Sequence, residues 1–432
     1  MGPTIHTDVT CTACGCVCDD LRIVVEDGRV VSAETRCGLA DRWLESMASP
    51  KHVGASIEGV AVPLADAIER AARILADARS PLVYGLSRSS TAGQQAALAL
   101  GEHIGAVVDT TASLGHGPSI IAVQEVGEST CTLGEVKQRA DLVIFWGSDP
   151  VESHPRHFER YSVDPAGMFV PNGRRDRFIV AVDPRRTATV EQADLHLPIE
   201  AGGDFELLWA LRALIRGVGW NAPSAGGIAS AQIESLAARM KACRFGIVFF
   251  GLGLARQGVR TVAALLRLSQ ELNDFTRFYV RRMRVSGDVA GADSVLAWQT
   301  GFPFCVSYAR GFPRYGPGEF SGHDMLRRGE ADACLLVGSS GTRRFSAEAC
   351  DELKRISTVV LDPGHVDQGF VPTVRFTTAV PGVHHVGTAY RMDEIPIPLN
   401  PFLPKSAPSD REVLSAIHGR VRELRQGGAA RT

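Results

Sequence analysis

The chain has 432 residues, of which 45% are hydrophobic and 22% charged, and its formal net charge at pH 7 is −2. This composition is ordinary for a globular protein of about two to four domains, and it lacks the basic excess that nucleic-acid binding requires. Short basic clusters at 174–177 and 281–284 are expected to be solvated or ion-paired. No apolar run reaches the roughly 18 residues of a membrane span, and residues 1–8 have no signal-peptide core. We therefore expect a cytoplasmic protein with neither membrane nor nucleic-acid partners.

The first 55 residues are predicted to form a small β-rich module that contains cysteines. Two β-branched stretches, 21–25 and 29–33, flank the sequence EDG at 26–28, which is a hairpin signal. Cysteines stand on both sides of this hairpin.

Beyond residue 55, short apolar runs alternate with Ala- and Leu-rich helical stretches. Strands are predicted at 81–84, 106–109, 142–146, 178–182, 247–250, 333–337 and 358–361. Helices are predicted at 64–78, 90–104, 205–215, 258–272 and 410–425, the last ended by the glycine pair at 427–428. This alternation indicates an α/β fold with parallel, Rossmann-like sheets covered by helices. We expect two such units, at 56–240 and 241–380, followed by a C-terminal tail and helix at 381–432.

The strongest local signal is a cluster of cysteines near the N-terminus. Cys11, Cys14 and Cys18 have the spacing C-x2-C-x3-C, and Cys37 follows beyond the hairpin. A cytoplasmic location is reducing, which argues against disulfides. Four thiolates suit a 4Fe–4S cluster or a zinc ion, and Cys16 is treated as a bystander. A vacant remnant of such a site is the alternative.

Six further segments follow one another along the chain: CTACGCVCDD at 11–20, GSDPVESHPR at 147–156, VDPRRT at 182–187, WQTG at 298–301, RGFPR at 310–314 and GTAYRMD at 387–393. Taken together and in this order, they resemble the B-type subunit of formylmethanofuran dehydrogenase, a member of the molybdopterin oxidoreductase superfamily. The resemblance covers nearly the whole chain. It implies the α/β fold of that superfamily and a nucleotide-bearing pterin site, in which Asp183, Arg185 and Thr187 would contact ribose and phosphate. The sequence GLG at 251–253 also follows a predicted strand, but a lone GxG is a weak signal.

One position departs from the family pattern. In family members, a cysteine or selenocysteine before the sequence His-Gly-Pro-Ser binds molybdenum or tungsten, whereas this chain has Gly115 before His116. Glycine has no side-chain donor, and Cys131 lies sixteen residues further along the chain. We therefore expect no catalytic residue here, a degenerate pterin site without molybdopterin, and a structural hydrogen-bonding role for His116.

The resemblance and its departure together indicate a non-redox structural subunit of a formyltransferase/hydrolase complex. Such complexes act in tetrahydromethanopterin-linked oxidation of formaldehyde to formate in methylotrophs, and the implied partners are the A-, C- and D-type subunits. The alternative is a molybdenum- or tungsten-pterin formylmethanofuran dehydrogenase subunit that reduces carbon dioxide to formate. A third hypothesis is an independent hydrolase that uses His116, Ser119, Asp149 and His154, although no GxSxG elbow is present.

Overall fold

The computed structural model describes residues 2–48, 51–285 and 287–429. In this part of the chain the strands are, in order, β1 (Thr4–Val9), β2 (Leu21–Glu26), β3 (Arg29–Glu34), β4 (Ala55–Ile57), β5 (Val60–Val62), β6 (Pro81–Gly85), β7 (Val107–Thr110), β8 (Leu142–Trp146), β9 (Phe178–Val182), β10 (Leu195–Leu197), β11 (Ser224–Ala225), β12 (Ile228–Ala229), β13 (Phe245–Phe250), β14 (Arg277–Arg282), β15 (Val306–Ser307), β16 (Arg314–Tyr315), β17 (Ala333–Val337), β18 (Ser357–Asp362), β19 (Val374–Thr377), β20 (Gly387–Tyr390) and β21 (Pro396–Leu399). The apolar runs at 142–146, 178–182 and 333–337 are therefore strands with the predicted bounds.

The α-helices of the described residues are α1 (Gly38–Ala48), α2 (Leu64–Asp77), α3 (Thr91–Ile104), α4 (Gly117–Val126), α5 (Leu133–Arg139), α6 (Pro150–Ser153), α7 (Asp204–Ile215), α8 (Ser230–Ala242), α9 (Leu252–Ala255), α10 (Val259–Leu272), α11 (Val289–Thr300), α12 (Gly322–Arg327), α13 (Ala347–Arg355) and α14 (Asp410–Ala429). None of them is both long enough and apolar enough to cross a membrane.

The predicted end of the last helix is wrong, because α14 continues through Gly427 and Gly428 to Ala429. A glycine inside a helix costs only about 1 kcal/mol. The helix is also held shortly before this point, where Arg425 donates to the carbonyl of His103 at 2.7 Å.

The chain divides into two compact units that are not consecutive in sequence. One unit contains residues 1–13, 17–114 and 286–432, and the other contains 14–16 and 115–285. The predicted units at 56–240 and 241–380 differ from these, because strands far apart in the chain pair with each other: β6 pairs with β17 in the first unit, and β8 pairs with β13 in the second.

In the first unit, the N-terminal hairpin is formed as predicted. Strands β1, β2 and β3 make an antiparallel sheet in that order. Asp27 and Gly28 at the turn both have positive φ, 47° and 73°. Two consecutive positive φ values are those of a type I′ turn, whose twist matches that of the paired strands.

The main sheet of the first unit has nine strands among the described residues, in the order β16-β15-β7-β6-β17-β18-β19-β4-β5. Its centre, from β7 to β19, is parallel. Strands β6 and β17 are buried at every position, as parallel strands covered on both faces must be. Helices α2, α3 and α14 contribute apolar side chains to the same core.

The sheet of the second unit is parallel throughout, with the order β10-β9-β8-β13-β14 in the described residues. The chain runs outward from β8 to β10 on one side, and then returns to add β13 and β14 on the other. The strand order therefore reverses between β8 and β13. In open α/β sheets a crevice forms at such a reversal, beyond the carboxyl ends of the strands.

Candidate functional site

A cavity of about 530 Å³ lies at this reversal point of the second unit. Loops that follow β8, β9 and β13 line it, at 147–149, 183–185 and 251–253. Two of these loops belong to segments on which the family resemblance depends, so the sequence motifs converge on one cavity. This is the position at which α/β folds bind nucleotide-like ligands.

Glycines bring the loops after β8 and β13 into backbone contact at the base of the cavity. The N–H of Gly253 donates to the carbonyl of Gly147 at 3.0 Å. A Cβ at Gly253 would stand 2.7 Å from that carbonyl oxygen, and a Cβ at Gly147 would stand 2.6 Å from the backbone nitrogen of Leu254. The GLG sequence, a weak signal by itself, is thus required by a close approach of two backbones.

A buried tryptophan and carboxylate support one wall. Trp146 ends β8 and donates from Nε1 to Oδ1 of Asp204 at 2.7 Å. Asp204 begins α7 and is buried. Burial raises the pKa of Asp204, while the hydrogen bond from Trp146 acts in the opposite direction. The indole therefore compensates part of the desolvation of this carboxyl.

The structure separates the three residues predicted to bind the pterin nucleotide. Asp183 and Arg185 line the cavity, and the carboxylate of Asp183 accepts from the backbone N–H of Arg185 at 2.9 Å. The Arg185 side chain is 78% exposed and lies 3.6 Å from the same carboxylate. Thr187 has a different role, because its hydroxyl accepts from the N–H of Val190 at 3.2 Å and so supports the following turn.

Carboxylates outnumber cations around the cavity. The acidic lining residues are Asp149, Glu152, Asp183, Glu200 and Asp204, and the basic ones are Arg185 and Arg256. Carboxylates accept hydrogen bonds from hydroxyl and amino groups, whereas arginines and backbone N–H groups favour phosphate. The lining therefore suits a ligand with many donors and a small anionic part.

The two residues at the expected metal position are both buried. Gly115 offers no donor atom. His116 donates from Nε2 to the carbonyl of Met283 at 3.2 Å, and its Nδ1 accepts from the hydroxyl of Ser119 at 3.2 Å. Both ring nitrogens are therefore engaged with the protein, which suits the structural role predicted for His116. The donors present here do not fit a molybdenum or tungsten ion.

The four residues of the hydrolase hypothesis are not assembled into a catalytic group. Ser119 is fully buried beside His116. Asp149 accepts from the hydroxyl of Thr189 at 2.6 Å. His154 pairs with the carbonyl of Arg284 at 2.7 Å, and burial lowers its pKa to about 4. Each side chain thus serves a local contact, and the buried serine cannot reach a substrate.

At 281–284, where a solvated or ion-paired cluster is expected, the structure shows an ion pair at Arg282 but no solvated face. Arg281 and Arg282 are buried. Arg281 donates to the carbonyl of Cys131 at 3.0 and 2.8 Å, and Arg282 forms an ion pair with Glu128 at 3.0 Å. The segment at 128–131 runs along β14 and covers it, which the short basic sequence by itself does not indicate.

Three residues of the predicted four-thiolate site, Cys11, Cys14 and Cys18, are buried. The N–H of Cys11 donates to the carbonyl of Cys18 at 2.8 Å, which closes the loop between them, and Cys37 is half-buried. Within residues 2–48, 51–285 and 287–429, no group of three or more His, Cys, Asp or Glu is arranged to hold a metal ion. The metal site stays a prediction.

Buried carboxylates mark the carboxyl edge of the first unit's sheet. Asp109 lies in β7, and its carboxylate accepts from the backbone N–H groups of Cys305 and Gly322 at 3.1 and 2.8 Å. Asp288 precedes α11 and accepts from the N–H of Tyr390 at 2.8 Å. Burial raises the pKa of Asp109 to about 6 and that of Asp288 to about 7. The hydrogen bonds of these carboxyls hold neighbouring loops together.

The stability of the first unit is expected to depend on the protonation of Asp288. Because its pKa is higher in the folded state, the stabilisation is complete below the ordinary value of 3.8 and is lost as the pH rises through about 7. Between pH 3.8 and about 7, Asp288→Asn should reduce the slope of the free energy of unfolding against pH by roughly 1.4 kcal/mol per pH unit. Urea unfolding at a series of pH values measures it, with Asp66→Asn on the exposed face of α2 as the control. Parallel pH profiles for wild type and Asp288→Asn would contradict the assignment.

Comparison with known proteins identifies the family. The chain is 38% identical over 431 residues to the B-type subunit of tungsten-containing formylmethanofuran dehydrogenase 2 from Methanocaldococcus jannaschii, covering 96% of this chain and 98% of that relative. The chain belongs to the family of formylmethanofuran dehydrogenase B-type subunits. The corresponding subunit of Methanococcus maripaludis is 36% identical over its full length. No family model matches this chain.

A further relative of this family member comes from a different complex. The B-type subunit of the formyltransferase/hydrolase complex Fhc of Methylorubrum extorquens is 26% identical over 295 residues, which is 66% of this chain and 75% of the relative. The solved structure of that organism's FhcABCD complex with methylofuran superposes with a TM-score of 0.72 at 23% identity, covering 86% of this chain and 99% of the matched one. Acetylene hydratase of Pelobacter acetylenicus gives a TM-score of 0.70 at 11% identity, covering 96% and 69%. These likenesses confirm the predicted fold class.

Proposed function

We propose that this chain is a B-type subunit that performs no redox step within a formyltransferase/hydrolase complex of one-carbon metabolism. Gly115 carries the proposal, because it removes the side-chain donor at the position of the metal ligand. His116 supports it, since both of its ring nitrogens are engaged with Ser119 and Met283. Hydrolysis of a formamide changes no oxidation state and needs no redox metal. The chain would then serve its A-, C- and D-type partners as a scaffold in tetrahydromethanopterin-linked formaldehyde oxidation in the cytoplasm.

Metal analysis of the intact complex tests this function. We expect the complex to release formate from a formylated carrier while it contains tungsten and molybdenum at far less than one atom per B-type chain. Formate should not reduce a viologen dye in its presence. Stoichiometric tungsten or molybdenum together with formate-dependent dye reduction would refute the non-redox role.

A second candidate is a dehydrogenase subunit with an unusual metal shell. The observation that favours it is the identity to the tungsten-containing relatives, 38% over 98% of one of them, against 26% to the Fhc subunit. The cavity that Asp183 and Arg185 line is also present. Under our proposal this cavity holds no metal-bearing pterin in the complex, and the same metal analysis separates the two candidates.

We propose that the four cysteines Cys11, Cys14, Cys18 and Cys37 retain a metal because the metal stabilises the fold, and not because it transfers electrons. Metal bound by thiolates stabilises the folded state directly. We expect Cys37→Ser to abolish metal retention and to lower the thermal unfolding temperature, whereas Cys350→Ser, outside the set, should leave both unchanged. Visible charge-transfer absorbance would indicate iron–sulfur, and zinc would give none. Equal metal content in the two variants would exclude Cys37 as a ligand.

A further inference from the structure

A second, basic cavity lies at the opposite edge of the second unit's sheet, at the amino ends of β13 and β14. Its volume is about 720 Å³. Three arginines from different elements line it: Arg139 ends α5, Arg244 precedes β13, and Arg277 begins β14. The cavity at the reversal point, described above, is at the carboxyl ends of the same strands, and the two cavities share no lining residue.

The cations of this basic cavity exceed its anions. Arg244 is paired with Asp141 at 3.3 Å, and Asp274 also lines the cavity. Within the described residues, neither Arg139 nor Arg277 forms an ion pair with a carboxylate. Two guanidinium groups, that of the partly buried Arg139 and that of the exposed Arg277, are thus available to an external anion. Arginine can bind a carboxylate through two parallel charge-assisted hydrogen bonds.

Aromatic rings stand beside these cations and are themselves exposed. The guanidinium of Arg139 lies 4.4 Å from the ring centre of Phe169, and Nζ of Lys241 lies 4.1 Å from that of Phe275. The exposed fractions of Phe169 and Phe275 are 42% and 52%. Arginine and phenylalanine are enriched in protein interfaces, where the ring is buried and the cation meets a carboxylate.

We propose that the basic cavity docks an acidic segment of a partner subunit, with carboxylates on Arg139 and Arg277 and apolar side chains on Phe169 and Phe275. Charge complementarity decides the occupant, because an uncompensated basic cavity with exposed rings favours a carboxylate-bearing peptide over a neutral or basic one. The inference rests on the proposed role as a subunit of a complex. The partner subunit would then be bound at this face, away from the cavity at the reversal point.

Carbodiimide cross-linking of the assembled complex tests the proposal. This reagent joins an amine to a carboxylate only when the two are in salt-bridge contact, and Lys241 supplies the amine beside Phe275. We expect mass spectrometry to find Lys241 joined to an aspartate or glutamate of another subunit. Lys241→Arg keeps the charge and should remove the cross-link without loss of assembly.

Charge reversal supplies an independent measurement. Arg139→Glu with Arg277→Glu should weaken the association of the folded chain with its partners at least about tenfold, one unit of 1.4 kcal/mol, as measured by titrating the partner subunits. Arg186→Glu, on an exposed turn of the same unit, is the matched control and should have no effect. Normal association of the double variant would overturn the inference, as would the absence of an intersubunit cross-link at Lys241. If the wild-type chain binds no partner at all, the proposed subunit role fails with it.

Discussion

Gly147→Ala is expected to lower the free energy of unfolding by about 3–5 kcal/mol, among the largest effects of any single methyl group in this chain. Gly147 has a φ of +55°, and an added Cβ would stand 2.6 Å from the backbone nitrogen of Leu254. The clashing atom is backbone, so no side chain can turn aside to relieve the contact. The loops after β8 and β13 would have to separate, and the base of the cavity at the reversal of the strand order would open.

A matched variant isolates the close approach from the backbone conformation. Gly217 has a φ of +73°, and an added Cβ would meet no atom within 4 Å. Gly217→Ala should therefore lower the free energy of unfolding by only about 1–2 kcal/mol, which is the cost of placing a residue other than glycine in the left-handed conformation. Guanidinium unfolding of both variants measures the difference. If they lose the same stability, the backbone contact at the reversal point is not the constraint that the geometry indicates.

Glu128→Gln is expected to destabilise the protein by about 3–5 kcal/mol, because it removes the negative charge from a buried ion pair with Arg282. The exposed fractions of the two side chains are only 9% for Arg282 and 7% for Glu128. Water cannot replace the missing anion at that depth. A buried ion pair need not add net stability by itself, but removal of one member is costly.

Two further variants distinguish a buried charge from a general effect of the substitution. Glu191→Gln removes the partner of Arg186 in a pair whose side chains are 57% and 74% exposed, and should have little effect on stability because solvent screens the pair. Replacing both Arg282 and Glu128 with methionine should recover most of the loss of Glu128→Gln. Thermal and urea unfolding measure all three. A double variant as unstable as the single one would show that the charge is not the cause.

The cavity at the reversal of the strand order and the expected metal position at Gly115 lead to separate conclusions about this chain. The cavity at the reversal of the strand order is lined by loops with close-packed glycines and by the buried Asp183. Position 115 has no donor, and His116 is engaged with Ser119 and Met283. A fold can thus keep its ligand crevice after the donor for a metal has gone, since the two depend on different residues. Experiments on metal content and on nucleotide binding should therefore be made separately.

The central parallel strands were predictable because buried parallel strands are unbroken apolar runs. The run at 142–146 and the run at 333–337 are bounded by polar or glycine residues, and both form strands with the predicted ends. The hairpin was predictable because the sequence at 26–28 fixes its turn. Local chemistry determines these features, so no knowledge of distant partners is needed.

Other features depend on contacts that the sequence order conceals. The basic residues Arg281 and Arg282 suggest a solvated or ion-paired face, and only the structure shows that the segment at 128–131 covers them and supplies the partner of the ion pair. The basic cavity that Arg139 and Arg277 share escaped sequence analysis, because its residues come from elements far apart in the chain. Residue type alone does not reveal which cations converge.

By itself, the sequence determined the α/β class, the family and the loss of a donor at Gly115, because these follow from local patterns and from residue identity. Only the tertiary structure decided how the strands are shared between two units that are not consecutive in sequence, and which loops line the cavity at the reversal of the strand order. The structure alone explains the glycines at 251–253. A Cβ at either glycine would clash with the backbone of Gly147, which is over a hundred positions earlier in the chain. Strand pairing brings such positions together, and the sequence of one segment does not show which distant segment it pairs with.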